Sequence, residues 1–296
     1  MQKWRVGDVT ITRILEREGL GDISALMPPA SSKDLLEISW LQPHFCDAAG
    51  QFRIAAQALV IATAAGRCIV VDTCWGNDKK CLPQLFQAQQ ANTPFLEDFA
   101  AAGFDRTRID TVLCTHLHFD HVGWNTMLQD GKWVPTFPNA RYLMARAEYQ
   151  HWIDNDCDWV VFSESIAPVM EAGLVDLVET TAVICDEVRL VPTPGHTPNH
   201  VSVEISSRGE EALITGDFIH HPCQMARPEW WTVFDDSPDD AIATRRRMLE
   251  RLADTRTLVI GTHFATPTAG RVVADRGVYR FVIDEDATEP AVLHTG

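Results

Sequence analysis

Thr115-His116-Leu117-His118-Phe119-Asp120-His121 follows directly on the apolar run Ile109 to Cys114 and packs three imidazoles and a carboxylate into seven residues. In an extended segment side chains repeat every two residues, so His116 and His118 point the same way. Asp120 and His121, at a turn, can face a second ion. One short loop thus offers ligands to two metals. Imidazole with carboxylate suits zinc, and also iron, manganese or cobalt, so the donors define a class of ion and not one element. With 11 histidines in 296 residues, three of them here are a concentration that an ordinary polar loop does not require.

Three further apolar runs end the same way. Val188 to Val191 leads to Thr193-Pro194-Gly195-His196-Thr197-Pro198, Leu213-Ile214-Thr215-Gly216 leads to Asp217, and Leu258-Val259-Ile260-Gly261-Thr262 leads to His263. Sheets in α/β proteins place their sites outside one end of the strands, so strands that repeatedly end in a potential ligand predict one shared site.

These residues resemble the metallo-β-lactamase superfamily of metal-dependent hydrolases. Its H-x-H-x-D-H signature stands as His116, His118, Asp120 and His121, followed in the family's order by His196, Asp217 and His263. The resemblance covers roughly residues 55 to 270. It implies one metal held by His116, His118 and His196, and a second held by Asp120, His121 and His263, with Asp217 bridging. It implies two divalent cations as cofactors, zinc being the expected element. Val70-Val71-Asp72-Thr73-Cys74 is similar to the family's first motif, in which the aspartate matching Asp72 orders the ligand loop without binding metal. The implied fold class is α/β, a four-layer αβ/βα sandwich. Two departures stand out: Gly123-Trp124 where the family often has two glycines, placing an indole beside the site, and Asn199 before His200. True β-lactamases commonly carry a cysteine where Asp217 stands, which argues against antibiotic hydrolysis.

Composition fits one enzyme domain over 1–296. The chain is 46% apolar, long enough for a large core, and no Pro-, Gly- or Ser-rich linker divides it. A net charge of −16 argues against a nucleic-acid partner, which would need clustered Lys and Arg. No run approaches the 18 apolar residues of a membrane span, and no signal core follows Met1. Eight cysteines without C-x-x-C spacing read as free buried thiols in a reducing, cytoplasmic setting.

Element signals give strands at Val9 to Leu15 and Ala58 to Val71, the latter a hairpin turning near Ala65-Gly66. A helix runs from Thr93-Pro94 to Gly103, strands at Ile109 to Cys114 and Arg141 to Met144 follow, and a helical insert covers about 147–177. Ser237-Pro238-Asp239-Asp240 predicts a serine-capped helix to about Ala253. Residues 1–50 read as an N-terminal arm that covers the site or a neighbouring subunit of a homodimer.

Two adjacent dications can activate water at neutral pH without a serine or cysteine nucleophile, and Asp120 can orient that water or pass its proton on. If several of Trp124, Trp152, Trp159, Trp230 and Trp231 line the pocket, the small-molecule substrate is an apolar or aromatic ester, lactone or phosphotriester. The long N-terminal segment and ligand order look closest to the branch of methyl parathion hydrolase-like enzymes and quorum-quenching lactonases. Lactonases there often use a tyrosine three residues past the bridging aspartate to bind the carbonyl oxygen. Here that residue is His220, followed by His221, and His220 is the expected catalytic counterpart. Glyoxalase II-like thioesterases share the signature but carry a helical domain for which too little chain follows His263. A non-catalytic binding protein would be expected to have lost ligands, and all seven are present.

Overall fold

Burial on both faces explains why the ligand-bearing runs are apolar without alternation. In the structure, a computed structural model describing residues 1–80, 92–155 and 159–283, they are inner strands of two seven-stranded sheets. The first sheet begins with β1 (Lys3–Val6), β2 (Val9–Gly21), β3 (Phe52–Ala62), β4 (Cys68–Val71) and β5 (Thr111–Leu113). After a separate hairpin of β6 (Thr126–Gln129) and β7 (Lys132–Pro135), β8 (Arg141–Ala145) and β9 (Val175–Val178) complete it, in the order β1-β2-β3-β4-β5-β8-β9. The second holds β10 (Val183–Cys185), β11 (Val188–Pro192), β12 (Val201–Ser207), β13 (Glu210–Ile214), β14 (Leu258–Ile260), β15 (Ala269–Asp275) and β16 (Val278–Ile283) in chain order. Strands β4, β5, β8 and β9 run parallel, as do β13 and β14.

The period of two sorts side chains into three cores. Ile69, Val71 and Leu113 face inward against Val203, Ile214 and Ile260 of the other sheet. Val70 and Val112 face outward to Phe95 and Phe99 of the helix Phe95–Ala101, and Leu213 and Val259 face Met248 and Leu249 of the helix Pro238–Leu252. Each such side chain contributes roughly 1.5–3 kcal/mol. Helices outside two stacked sheets make the four-layer αβ/βα sandwich. No helix among the described residues is long and apolar enough to cross a membrane. Cys46, Cys68, Cys74, Cys114, Cys185 and Cys223 are free thiols. Cys81 and Cys157 lie outside the described residues.

Several boundaries differ from expectation. Residues 3–21 are not an arm but sheet strands: β2 continues to Gly21 and pairs with β3 from Thr10↔Ala62 to Gly21↔Phe52. Its second half was hidden because Arg13, Glu16, Arg17 and Glu18 break the apolar alternation. The register shifts between Leu15 and Arg17, and this bulge re-aims Glu16 inward, where it accepts hydrogen bonds from Trp75 N at 2.9 Å and Trp124 Nε1 at 2.7 Å. Only the stretch after Gly21 is arm-like, and its Met27, Leu41 and Phe45 pack into the outer core of the second sheet. The helical insert ends earlier than 177: after Ala167–Glu171, Gly173 at φ 69° stops the helix and β9 follows. Ser237 starts the helix Pro238–Leu252, but its hydroxyl donates to Asp240 Oδ2 at 2.7 Å instead of capping a backbone N–H.

One glycine fixes the approach of the ligand loop to β4. Gly123 donates to Cys74 O at 2.8 Å, and a Cβ on it would lie 1.9 Å from Trp75 O. Gly123→Ala is expected to destabilise the fold by about 3 kcal/mol through overpacking against backbone. Thermal unfolding checks this, and an unchanged midpoint would show that the loop yields freely.

Candidate metal centre

Strand direction gathers the expected ligands. Asp72 follows β4, the loop 115–121 follows β5, and His196, Asp217 and His263 follow β11, β13 and β14. Val201 N donates to Thr115 O at 3.0 Å, joining the sheets at this edge. His118 precedes the four-residue helix Phe119–Val122 without a side-chain capping bond, so Asp120 and His121 sit in a helical turn and not in an open turn.

Seven side chains converge in two groups. His116 Nε2 lies 3.0 Å from His118 Nδ1, which lies 2.9 Å from His196 Nε2. On the other side His121 Nε2 and His263 Nε2 are 3.2 Å apart, with Asp120 oxygens at 3.8 and 3.6 Å from them. Asp217 Oδ2 stands between the groups, 3.2 Å from His121 and His263 and 3.3 Å from His196. Its Oδ1 is buried and has no hydrogen-bond partner among the described residues. Tetrahedral zinc with Zn–N near 2.0–2.1 Å places ligand atoms roughly 3.3 Å apart, close to these spacings. Imidazole nitrogens turned on one another around a carboxylate whose second oxygen is orphaned fit a pair of divalent cations.

Electrostatics agree. Burial, with His121 and His118 nearby, holds His116 well below the ordinary histidine value, and burial with His196 does the same for His118. Both lone pairs are therefore available at neutral pH. Burial also opposes charge on His121, yet the carboxylates of Asp217, Asp72 and Asp120 keep it well above its ordinary value. His263 is likewise raised against its burial by Asp217 and Asp120. Against its own burial, Asp217 is held well below the usual carboxylate range by His121, His263 and His220. The carboxylates draw protons to one side of the cluster, and bound cations would displace them.

Outer hydrogen bonds fix the rings. His116 Nδ1 meets Thr115 Oγ1 at 3.1 Å, His121 Nδ1 meets Asp72 Oδ2 at 2.9 Å, His196 Nδ1 meets Asp235 Oδ1 at 2.9 Å, and His263 Nδ1 meets Ala55 O at 2.8 Å. Asp72 also accepts Thr115 N at 2.8 Å and Thr115 Oγ1 at 2.9 Å, which orders the loop without reaching the ligand atoms. Two supports escaped sequence reasoning. His200, named only as the residue after Asn199 and given no role, accepts the Asp217 N–H at 2.7 Å. Gly216 makes room for it, since a Cβ there would lie 2.4 Å from His200 Nε2. Burial pushes His200 down to about 3, so it stays neutral and able to accept. Asp235 carried no sequence signal.

His220 sits at the cluster. Its Nε2 lies 3.2 Å from Asp217 Oδ2, its ring stacks on His263 at 5.7 Å, and with His196 and Asp217 it forms a further group of potential ligands. It differs from the four Nε2-presenting rings in one respect. Its Nδ1 is buried with no partner among the described residues, so it lacks the outer bond that orients each of theirs. His221 points away, its Nε2 on Phe45 O at 2.8 Å.

A cavity of about 790 Å³ opens over this floor, with Leu20, Leu26, Phe52, Trp75, Trp152 and Phe234 among its wall residues. The tryptophans divide. Trp152 lines the cavity, whereas Trp124 stacks on Phe95 in the core, Trp230 is buried in the outer core, Trp159 is 71% exposed, and Trp231 is not a wall residue. The indole of Trp124 is thus beside the ligand loop in sequence but behind it in space.

A family profile described as the metallo-beta-lactamase superfamily matches residues 54–274. The N-acyl homoserine lactonase AiiA of Bacillus thuringiensis subsp. kurstaki is 24% identical over 162 residues, 54% of this chain and 58% of that protein's length. Among solved structures, the hydrolase AbOPH in the beta lactamase superfamily is similar with a TM-score of 0.79 at 22% identity, covering 95% of this chain and 96% of that one. AidC, a dizinc quorum-quenching lactonase seen with a product, N-hexnoyl-L-homoserine, gives a TM-score of 0.78 at 20% identity with the same coverage.

Proposed function

The chain belongs to the metallo-β-lactamase superfamily, and on that premise we propose that it is a dinuclear-metal hydrolase of a small, neutral ester or lactone with apolar or aromatic substituents. The observation that carries this reading is the convergence of both ligand groups on Asp217, whose Oδ1 is left unpartnered. Two bound divalent cations, with zinc the element best suited to an imidazole-rich set, would supply Lewis acidity and bring the pKa of water from 15.7 to about 7.

The chain's own residues do the rest. His116, His118 and His196 would hold one ion, Asp120, His121 and His263 the other, with Asp217 available to both. The Asp120 side chain is 18% exposed, against 3% for Asp217, so it is the carboxylate that can take a proton from attacking water and return it to the leaving oxygen. His220, a cavity-wall residue beside Asp217, would hydrogen-bond the oxygen on which charge develops. Apolar walls favour an apolar guest, and the net charge of −16 disfavours an anionic one. The lactone choice draws support from what the similar proteins are named for.

A panel of an acyl lactone, an aryl ester, a thioester, a phosphotriester and a cephalosporin tests the proposal. Chelator-sensitive hydrolysis is expected to be fastest on the lactone or ester. Preference for the thioester, the phosphotriester or the cephalosporin would reject that substrate class, and turnover indifferent to chelator would reject the metal mechanism.

A further inference from the structure

We propose that Asp235 and Arg245 form a positioning pair that sets the metal affinity of the His116–His118–His196 side of the centre, an inference that rests on the metal-centre reading above. Arg245, on the helix Pro238–Leu252, is completely buried. Its Nε donates to Phe218 O at 3.0 Å, the carbonyl directly after Asp217, and its Nη1 donates to Pro228 O at 2.7 Å and Trp230 O at 2.9 Å. Its Nη2 lies 3.9 Å from Asp235 Oδ2, which also accepts Thr232 N at 2.9 Å. The other oxygen of Asp235 meets His196 Nδ1 at 2.9 Å.

One guanidinium therefore fastens two pieces of chain that act on the centre from different directions. Through Phe218 it fixes the loop that carries Asp217 and His220. Through Pro228 and Trp230 it fixes the chain leading to Asp235, and its Nη2, which makes no hydrogen bond among the described residues, faces the carboxylate that orients His196 as an ion pair at 3.9 Å. The outer partners Asp72 and Ala55 each act on a single stretch of chain. Asp72 serves the loop 115–121, and Ala55 serves His263. Only the planar fork of arginine offers enough fixed donors to bind three carbonyls and still face a carboxylate. The pair also acts as a unit, since a buried charge without its partner is uncompensated. Neither side chain is among the cavity wall residues, so both are positioning residues and not catalytic ones.

The test uses the full chain, stripped of metal and titrated with zinc alone against a chromophoric chelator, with cobalt substitution as an independent spectroscopic readout. Asp235→Ala is expected to weaken one of two zinc equivalents by about 10–100-fold and leave the other at wild-type affinity. The cobalt absorption of that site is expected to shift with it. Asp235→Asn, which keeps an acceptor oxygen, is expected to recover part of the loss, and Arg245→Lys to fall between wild type and Asp235→Ala. Wild-type affinity at both equivalents in folded Asp235→Ala would overturn the pairing. If that variant does not fold, Asp235→Asn decides in the same way: one weakened equivalent supports the pairing, and none removes it. Should the wild-type chain itself take up no zinc, it is the metal reading that fails.

Discussion

Asp217→Ala is expected to reduce ester or lactone turnover to background, a loss of more than about a thousandfold, and to lower bound metal well below wild type. Its Oδ2 is 3.2–3.3 Å from ring nitrogens of both ligand groups, so no other side chain can take its place between them. Removing it also leaves His121 without the main carboxylate that balances it. His116→Ala is expected to behave alike from one side only, because its Nε2 faces His118 within a single group. Elemental metal content and turnover, read on the same sample, check both variants. Full activity with full metal in Asp217→Ala would remove the bridging assignment.

His220→Ala should separate metal holding from chemistry. Loss of a donor to the developing negative charge costs on the order of a hundredfold in turnover, and metal content is expected to stay at the wild-type level. The geometry explains this split: His220 lacks the outer hydrogen bond that fixes each of the four Nε2-presenting ligand rings. Loss of metal in this variant would instead make His220 a ligand, through its group with His196 and Asp217.

The seven converging side chains were legible because they stand just after apolar strands, where polar residues are conspicuous. Strand direction, also readable as a pattern, then brings them to one edge. Asp72 apart, the longer-range supports were not legible because they come from far along the chain. Asp235 lies 39 residues from His196, and Ala55 serves His263 through a carbonyl 208 residues away, which any residue type could supply. Arg245 reads as one more charge on an amphipathic helix until burial shows it facing inward. The second half of β2 was missed for the converse reason, since its charged residues form inward polar networks that look like a solvated loop. The tryptophans show a third limit. Proximity in sequence to the ligand loops did not tell wall from core, because Trp124 turns its indole to Phe95 and Glu16 and only Trp152, of those named, reaches the cavity.

Calorimetric titration of the metal-free chain with zinc tests most directly whether one carboxylate, Asp217, joins two metal sites. Two equivalents per chain are expected, with protons released as the ions displace them from the raised His121 and His263. A single equivalent, or none, would contradict the dinuclear site.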